Sequence, residues 1–248
     1  MNEEFMLKIN LVVQALQAYH RYEVSGLEHV PQKGPAIIAC SHSLATYDIM
    51  LLMGAVHGAT GRFPRSLIDR LFYKVPGLGQ VMEMVGSVIG KKENAIALLN
   101  NGELLYVAPG GMRESLRTKS ERYQVRWENR KGFIRLSIES GAPIILAACP
   151  WADDIYDVYP MFFTEWAYKT FKVPMFLARG LGLSPIPKPV KLKHFMSEPI
   201  APPKMKRDSE AFEKQLNAHH KLVTKKMIKL LKEATASQDS KPQIRSMP

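Results

Sequence analysis

Between residues 36 and 149, short unbroken apolar runs alternate with stretches of helical periodicity, and no other feature constrains the fold as much. The apolar runs are Ala36–Ala39, Glu103–Ala108 (with Leu104-Leu105-Tyr106-Val107 at its centre) and Pro143–Cys149. A run without polar alternation is what a strand buried on both faces shows. Helical stretches lie between them, at Asp48 to about Val56, Gln80–Val85, Glu93–Asn100 and Lys131–Ser140. Asn101-Gly102 and Gly141 supply stop signals for the last two. Arg62–Lys74 mixes basic and apolar residues and is expected to be a further helix, and Gly86–Gly90 a short strand. The pattern predicts an α/β fold: a mostly parallel sheet covered by helices.

Both flanks add to this unit. Phe5–Tyr22 has helical periodicity, with Phe5, Ile9, Val12, Val13, Leu16 and Tyr19 on one face. Such an N-terminal amphipathic helix packs on the domain or lies in a bilayer interface. Tyr22–Gly26 reads as a short strand and Lys191–Phe195 as a late one. Asp208–Glu233 reads as a long basic C-terminal helix. The expected division is an N-terminal helix over 1–22, one domain over 23–234 and a polar, disordered tail over 235–248. From Trp151 to Pro189 the pattern loosens and becomes aromatic, fit to line an acyl pocket, to touch lipid or to be ordinary core.

At 248 residues the chain can bury one full α/β core. Cys40 and Cys149 lie in apolar runs and read as reduced core thiols, which excludes a disulfide framework and a thiolate zinc site. No run reaches the length of a spanning helix, and the first residues lack a signal-peptide pattern. The net charge is +11, and residues 186–232 hold twelve Lys and Arg against four Asp and Glu. That bias suits an anionic membrane surface or an anionic substrate, with a solvated basic face as the plain alternative. No nucleic-acid-binding module accompanies it, so nucleic acid is not expected as a partner.

The chemistry concentrates where the first strand ends. His42 follows that strand and Asp48 lies at the first turn of the next helix. On one continuous helix the two side chains would point about 240° apart, so their meeting requires a turn between them. Residues 43–46 can supply it. The pair then reads as a base with its orienting carboxylate. Alternatively, Asp48 only favours a helix N-terminus and His42 is a loop residue. Gly110-Gly111, after the 103–108 strand, offers backbone N–H groups, with Arg113 just beyond, for an oxyanion or a phosphate.

Gly86–Lys92 is one residue short of a phosphate loop and lacks its Ser/Thr, and no Gly-x-Ser-x-Gly elbow occurs. His194 reads as structural, and Asp153, Asp154 and Asp157 as a cation site or a solvated loop.

The order of these pieces resembles the glycerolipid acyltransferase family, the lysophosphatidic acid acyltransferase-like enzymes. It runs from Val24-Ser25-Gly26-Leu27-Glu28-His29-Val30-Pro31 through His42-x5-Asp48, Gly86–Asn94, Pro109-Gly110-Gly111-Met112-Arg113-Glu114 and Lys131–Leu136 to the Gly141–Ile145 strand. The resemblance covers roughly residues 22–232. That family's first motif usually has four residues between His and Asp, where this chain has five. Its third usually carries Glu where this chain has Gly110. Both departures resemble the diacylglycerol-acyltransferase-like branch, which includes transmembrane protein 68 and plant phytyl ester synthases.

The resemblance implies an O-acyltransferase that takes an acyl group from acyl-CoA or acyl carrier protein as co-substrate, with no cofactor and no metal. The acceptor would be a lipid hydroxyl. His42 would be the base and Asp48 its partner. Gly110, Gly111, Arg113, Lys91 and Lys92 would bind substrate. A thioesterase or lipid hydrolase using the same pair, or a non-enzymatic lipid-binding protein, are the alternatives. The expected location is peripheral, on the cytoplasmic face of a membrane.

Overall fold

A computed structural model describes residues 3–44, 47–68, 77–160, 176–182, 184–204 and 211–237. Its helices are α1 (Glu3–Tyr19), α2 (Tyr47–Thr60), α3 (Leu78–Met84), α4 (Lys92–Asn100), α5 (Gly111–Ser115), α6 (Gly132–Ser140) and α7 (Ala211–Ala236). Its strands are β1 (Glu23–Ser25), β2 (Ala36–Cys40), β3 (Arg65–Ile68), β4 (Val88–Ile89), β5 (Leu104–Val107), β6 (Ile144–Ala148), β7 (Asp157–Pro160), β8 (Phe176–Arg179) and β9 (Lys193–Met196).

The apolar runs become the middle of a seven-stranded sheet of order β1-β9-β6-β2-β5-β3-β4. β2 and β6 are buried at every position, as their lack of polar alternation requires. β2 pairs in parallel with β5 and with β6, and β3 extends the parallel set beyond β5. β9 runs antiparallel to β6 and carries β1 in parallel beside it, so the sheet is mixed at that end. β7 and β8 form a separate antiparallel pair.

Strand alternation splits the core between the two sheet faces. Ala36, Ile38 and Cys40 pack with Ile49, Leu52 and Val56 of α2. Ile37 and Ala39 face the other way, onto Leu99 of α4, Ile134 of α6 and Leu216, Val223 and Met227 of α7. α7 keeps this inner stripe apolar while Lys214, Lys221, Lys225, Lys226, Lys229 and Lys232 stay exposed. At 25 cal/mol per Å², burying one such Leu or Val contributes roughly 1.5–3 kcal/mol, which is why the stripe fixes the helix orientation.

α1 packs on α2 through Val13, and Gln17 donates to the Leu51 carbonyl at 2.9 Å. Leu11 and Val12, 63% and 60% exposed, lie away from that contact. No helix among the described residues is long and apolar enough to cross a membrane.

Three expectations change. Within Arg62–Lys74, residues 65–68 form a strand, not a helix, while 69–76 lie outside the described residues. Arg65 and Ser66 pair with Leu105 and Tyr106, and Arg65 Nε donates to the Gly86 carbonyl at 2.7 Å. Pairing with a core strand overrides local periodicity here. The acidic loop is neither a cation site nor solvated, because arginines and a lysine neutralise it. Arg117 meets Asp153 at 2.6 Å, Arg122 meets Asp154 at 2.6 Å, and Lys188 meets Asp157 at 2.7 Å. The C-terminal helix also runs on through Thr235 and Ala236. Residues 238–248, the rest of the expected tail, lie outside the described residues, as do aromatic residues 161–175.

Candidate active site

β2 and β5 lie side by side in register, Ala39 opposite Val107, so both chains leave the sheet at the same edge. β2 leads into Ser41-His42-Ser43 and β5 into Ala108-Pro109-Gly110-Gly111. Clefts outside the carboxyl ends of parallel strands are where α/β proteins build sites. The structure thus brings the His42 and Gly110-Gly111 segments together.

The His42 ring is largely buried. Its Nδ1 lies 2.7 Å from the Ser43 carbonyl. A carbonyl only accepts, so Nδ1 carries the proton and Nε2 presents its lone pair. Nε2 has no hydrogen-bond partner among the described residues. Burial lowers the imidazole pKa below its ordinary value. The Ser43 carbonyl and the charge of Asp48 pull it up, while Arg117 and Arg130 push it down. The outcome is a neutral imidazole near pH 7 with Nε2 available as a base.

Asp48 is fully buried in the first turn of α2. It does not touch the imidazole directly. Ser43 lies between the two, its hydroxyl donating to Asp48 Oδ1 and its carbonyl holding His42. The tautomer is therefore set by a backbone carbonyl, and Asp48 acts on His42 through charge and through Ser43.

Glu114, fully buried, fixes the loop that carries the base. Its Oε2 accepts the His42 backbone N–H at 2.9 Å and its Oε1 the Arg126 N–H at 3.0 Å. Burial raises its pKa, against the pull of Arg117 3.3 Å away and of those two N–H groups. Arg117 Nη2 in turn donates to the His42 carbonyl at 3.0 Å. Both backbone polar groups of His42 are thus held by buried charged side chains.

The glycines are sterically required. A β-carbon on Gly110 would overlap the Glu114 carboxylate, and one on Gly111 would overlap the Arg130 guanidinium. Gly111 also has φ +52°, a conformation glycine adopts without strain. Arg130 clamps this turn, donating to the Gly110 carbonyl at 2.7 Å and the Pro109 carbonyl at 3.2 Å. The Gly111 N–H is spent on the Ala108 carbonyl at 3.0 Å, so of the two glycine N–H groups only that of Gly110 is left for an oxyanion.

Arg113 lies in α5, and its side chain is outside the described residues. Lys91 and Lys92 start α4 beyond β4, the far edge of the sheet. Lys92 pairs there with Glu139 of α6 at 2.8 Å, so the fold does not gather these lysines at His42. Arg117 and Arg130 escaped the sequence reading, and Glu114 entered it only as the last residue of the Pro109–Glu114 motif, with no role assigned. The one signal for the arginines is the cluster of charges that follows Gly-Gly.

Cys40 and Cys149 are buried thiols with pKa values pushed well up, inert as nucleophiles. The Ser43 hydroxyl is committed to Asp48. Fold and site together define a mostly parallel α/β protein with a neutral imidazole at the carboxyl edge of its sheet.

The family model described as Acyltransferase matches residues 21–149, and the chain belongs to that family. Its homologues include the "DGAT1/2-independent enzyme synthesizing storage lipids" of Bos taurus, 31% identical over 73% of this chain and 53% of that protein. The Homo sapiens protein of the same name is 30% identical over 84% of this chain and 62% of its own length. The chain thus spans between half and two thirds of these relatives. The crystal structure of the 1-acyl-sn-glycerophosphate (LPA) acyltransferase PlsC from Thermotoga maritima shares the fold, with a TM-score of 0.57 at 18% identity over 93% of this chain and 80% of that one.

Proposed function

We propose that the chain is an O-acyltransferase that moves a fatty acyl group from an acyl thioester, on coenzyme A or acyl carrier protein, to a lipid hydroxyl. The observation that carries this is the His42 imidazole, its proton held on Nδ1 by Ser43 and its Nε2 unpartnered among the described residues, within the stretch that the acyltransferase family model matches. Nε2 takes the hydroxyl proton as the alkoxide oxygen adds to the thioester carbonyl. The Gly110 N–H, the unspent one of the two glycine N–H groups, is the candidate backbone donor for the developing oxyanion. The tetrahedral adduct collapses with loss of the thiolate, which leaves as thiol with the proton from the imidazolium. The products are an ester and a free thiol, with no acyl-enzyme and no cofactor.

The acceptor proposed is a neutral alcohol such as diacylglycerol or a long-chain alcohol. Glycine stands at position 110, and Lys92 is engaged with Glu139. A buried phosphate is best held by planar, bidentate arginines, and Lys is only a point charge. The lipid substrate places the protein peripherally on the cytoplasmic face of a membrane, through exposed α1 residues and the basic C-terminal third.

The test is thiol release from acyl-CoA against a panel of lipid alcohols, with diacylglycerol and lysophosphatidic acid in direct competition. Acceptor-dependent release, abolished in His42→Ala and favouring diacylglycerol, is expected. Release independent of any alcohol would identify a hydrolase instead. No release with any donor would leave a lipid-binding protein.

A further inference from the structure

His194 sits on β9, whose alternation turns His194 and Met196 inward. Its Nε2 lies 3.3 Å from Asp48 Oδ2, and both side chains are excluded from solvent. Neither atom has an aligned hydrogen bond among the described residues, and each is the other's nearest recorded polar neighbour, at ion-pair distance. A carboxylate oxygen and an imidazole nitrogen left facing each other in a dry interior are costly unless one donates to the other.

The far side of the ring decides which. Tyr22, half-buried just before β1, has its hydroxyl 2.8 Å from His194 Nδ1. If Nδ1 carried the proton, Nε2 would point a lone pair at a carboxylate lone pair. With the phenol donating to Nδ1, the Nε2–H faces Asp48 Oδ2 across that 3.3 Å, close enough for a small ring rotation to align it. Of the two neutral tautomers, only this one lets both ring nitrogens meet their neighbours favourably. The run of contacts continues without a break through Asp48 Oδ1, which accepts the Ser43 hydroxyl, to the Ser43 carbonyl, which accepts His42 Nδ1–H.

We propose that His194 is a positioning residue for the acyl-transfer site, held by Tyr22 as the Nε2–H tautomer and donating to Asp48, so that the carboxylate keeps Ser43 and thereby the His42 ring in place. This rests on the reading of His42 as the base. The pairing of β1 with β9, Val24 opposite His194, brings Tyr22 and His194 together, and the pairing of β9 with β6 carries His194 to the end of β2. The Cys149 thiol also lies within 4.8 Å of the Asp48 and His194 ligand atoms, so a bound metal is the rival account of the cluster.

Nitrogen NMR of the imidazoles in the full chain tests the tautomer directly. A proton on His194 Nε2 near neutral pH is expected; a proton on Nδ1 overturns the proposal. So does one equivalent of zinc found in the purified protein by elemental analysis. In turnover, His194→Ala is expected to lower kcat about 10- to 100-fold, the loss of one hydrogen bond to a charged group, with KM little changed. His194→Gln, whose amide nitrogen takes the place of Nε2, is expected to recover most of that loss. Unchanged kcat in a folded His194→Ala protein, or equal losses in folded Ala and Gln variants, overturns the proposal. If His194→Ala does not fold, the tautomer and the zinc content of the unaltered chain still decide. Full turnover in His42→Ala would remove the site reading while leaving the tautomer result standing.

Discussion

The carboxylate of Glu114 lies in the space that a side chain on Gly110 would have to enter. The third motif of the family usually places its acidic side chain at the position of Gly110. Here a carboxylate reaches the same place from four residues further on and holds the backbone of His42. The glycine and the displaced acid are therefore two halves of one arrangement.

Gly110→Ala is expected to push Glu114 off the His42 N–H. Overpacking of this kind costs about 1–3 kcal/mol, and turnover should fall with it. In a Glu114→Gly background the three nearest atoms that the alanine would meet are gone, so its cost should shrink by an interaction energy of about 0.5–3 kcal/mol. Thermal unfolding of the four proteins of this cycle measures it. Strict additivity would show that the two positions do not compete for space.

In the proposed mechanism His42 must be neutral to act as the base, and burial lowers its pKa. Activity therefore survives to lower pH than an unperturbed imidazole would allow. The acid limb of kcat/KM is expected to have its midpoint below about 6.5. The negative charge of Asp48 favours the imidazolium, so Asp48→Asn should move that limb lower still while reducing the rate. A midpoint above the ordinary histidine value would assign the base to another group.

Arg117 is the most heavily used cation near the site. It donates to the His42 and Gln124 carbonyls and pairs with Asp153 and Glu114. Its side chain is 5% exposed and that of Asp153 8%, so Arg117→Ala strands buried carboxylates. The expected loss is about 3–5 kcal/mol of stability, measured by denaturant midpoint. Arg117→Lys should recover little, since an ammonium cannot reproduce the planar fork. A loss under about 1 kcal/mol would mean the network is held by its other members.

Attachment to a bilayer is expected to combine the exposed Leu11 and Val12 of α1 with the exposed lysines of α7. Binding to anionic vesicles should weaken between 0.1 M and 1 M salt as the screening length falls from ~10 Å to ~3 Å. Replacing Leu11 and Val12 with Ser should weaken it at all salt concentrations. Sedimentation with vesicles at low salt reads both effects, and no binding there sinks the idea.

The parallel centre of the sheet was legible because β2, β5 and β6 are buried on both faces and show it as unbroken apolar runs. His42, Asp48 and the two glycines were legible because they follow those runs directly. β3 was not, since Arg65-Ser66-Leu67-Ile68 takes its structure from β5 rather than from its own pattern. His194 looked like one more residue of a basic strand. Its contact with Asp48 exists only after β9 has folded back onto β6, a pairing that no local window contains. Arg117 and Arg130 were missed for a different reason: a charge run on a loop looks the same whether its charges are buried in pairs or bathed in water.

The late return of β9 also governs how the chain must be born. Residues 21–149, the stretch the family model matches, end with β6, whose second edge is closed by β9 and, just after it, by Ser197 and Ile200. Until the ribosome has made residue 200, the fully apolar Ile144-Ile145-Leu146-Ala147-Ala148 presents an unpaired edge of backbone donors and acceptors. Such an edge invites pairing with a neighbouring chain. At about 5–20 residues per second, the interval between β6 and β9 lasts on the order of a few seconds to ten. During that window the nascent chain is most in need of a chaperone, and a polypeptide cut at the boundary of the matched stretch would remain in that state permanently.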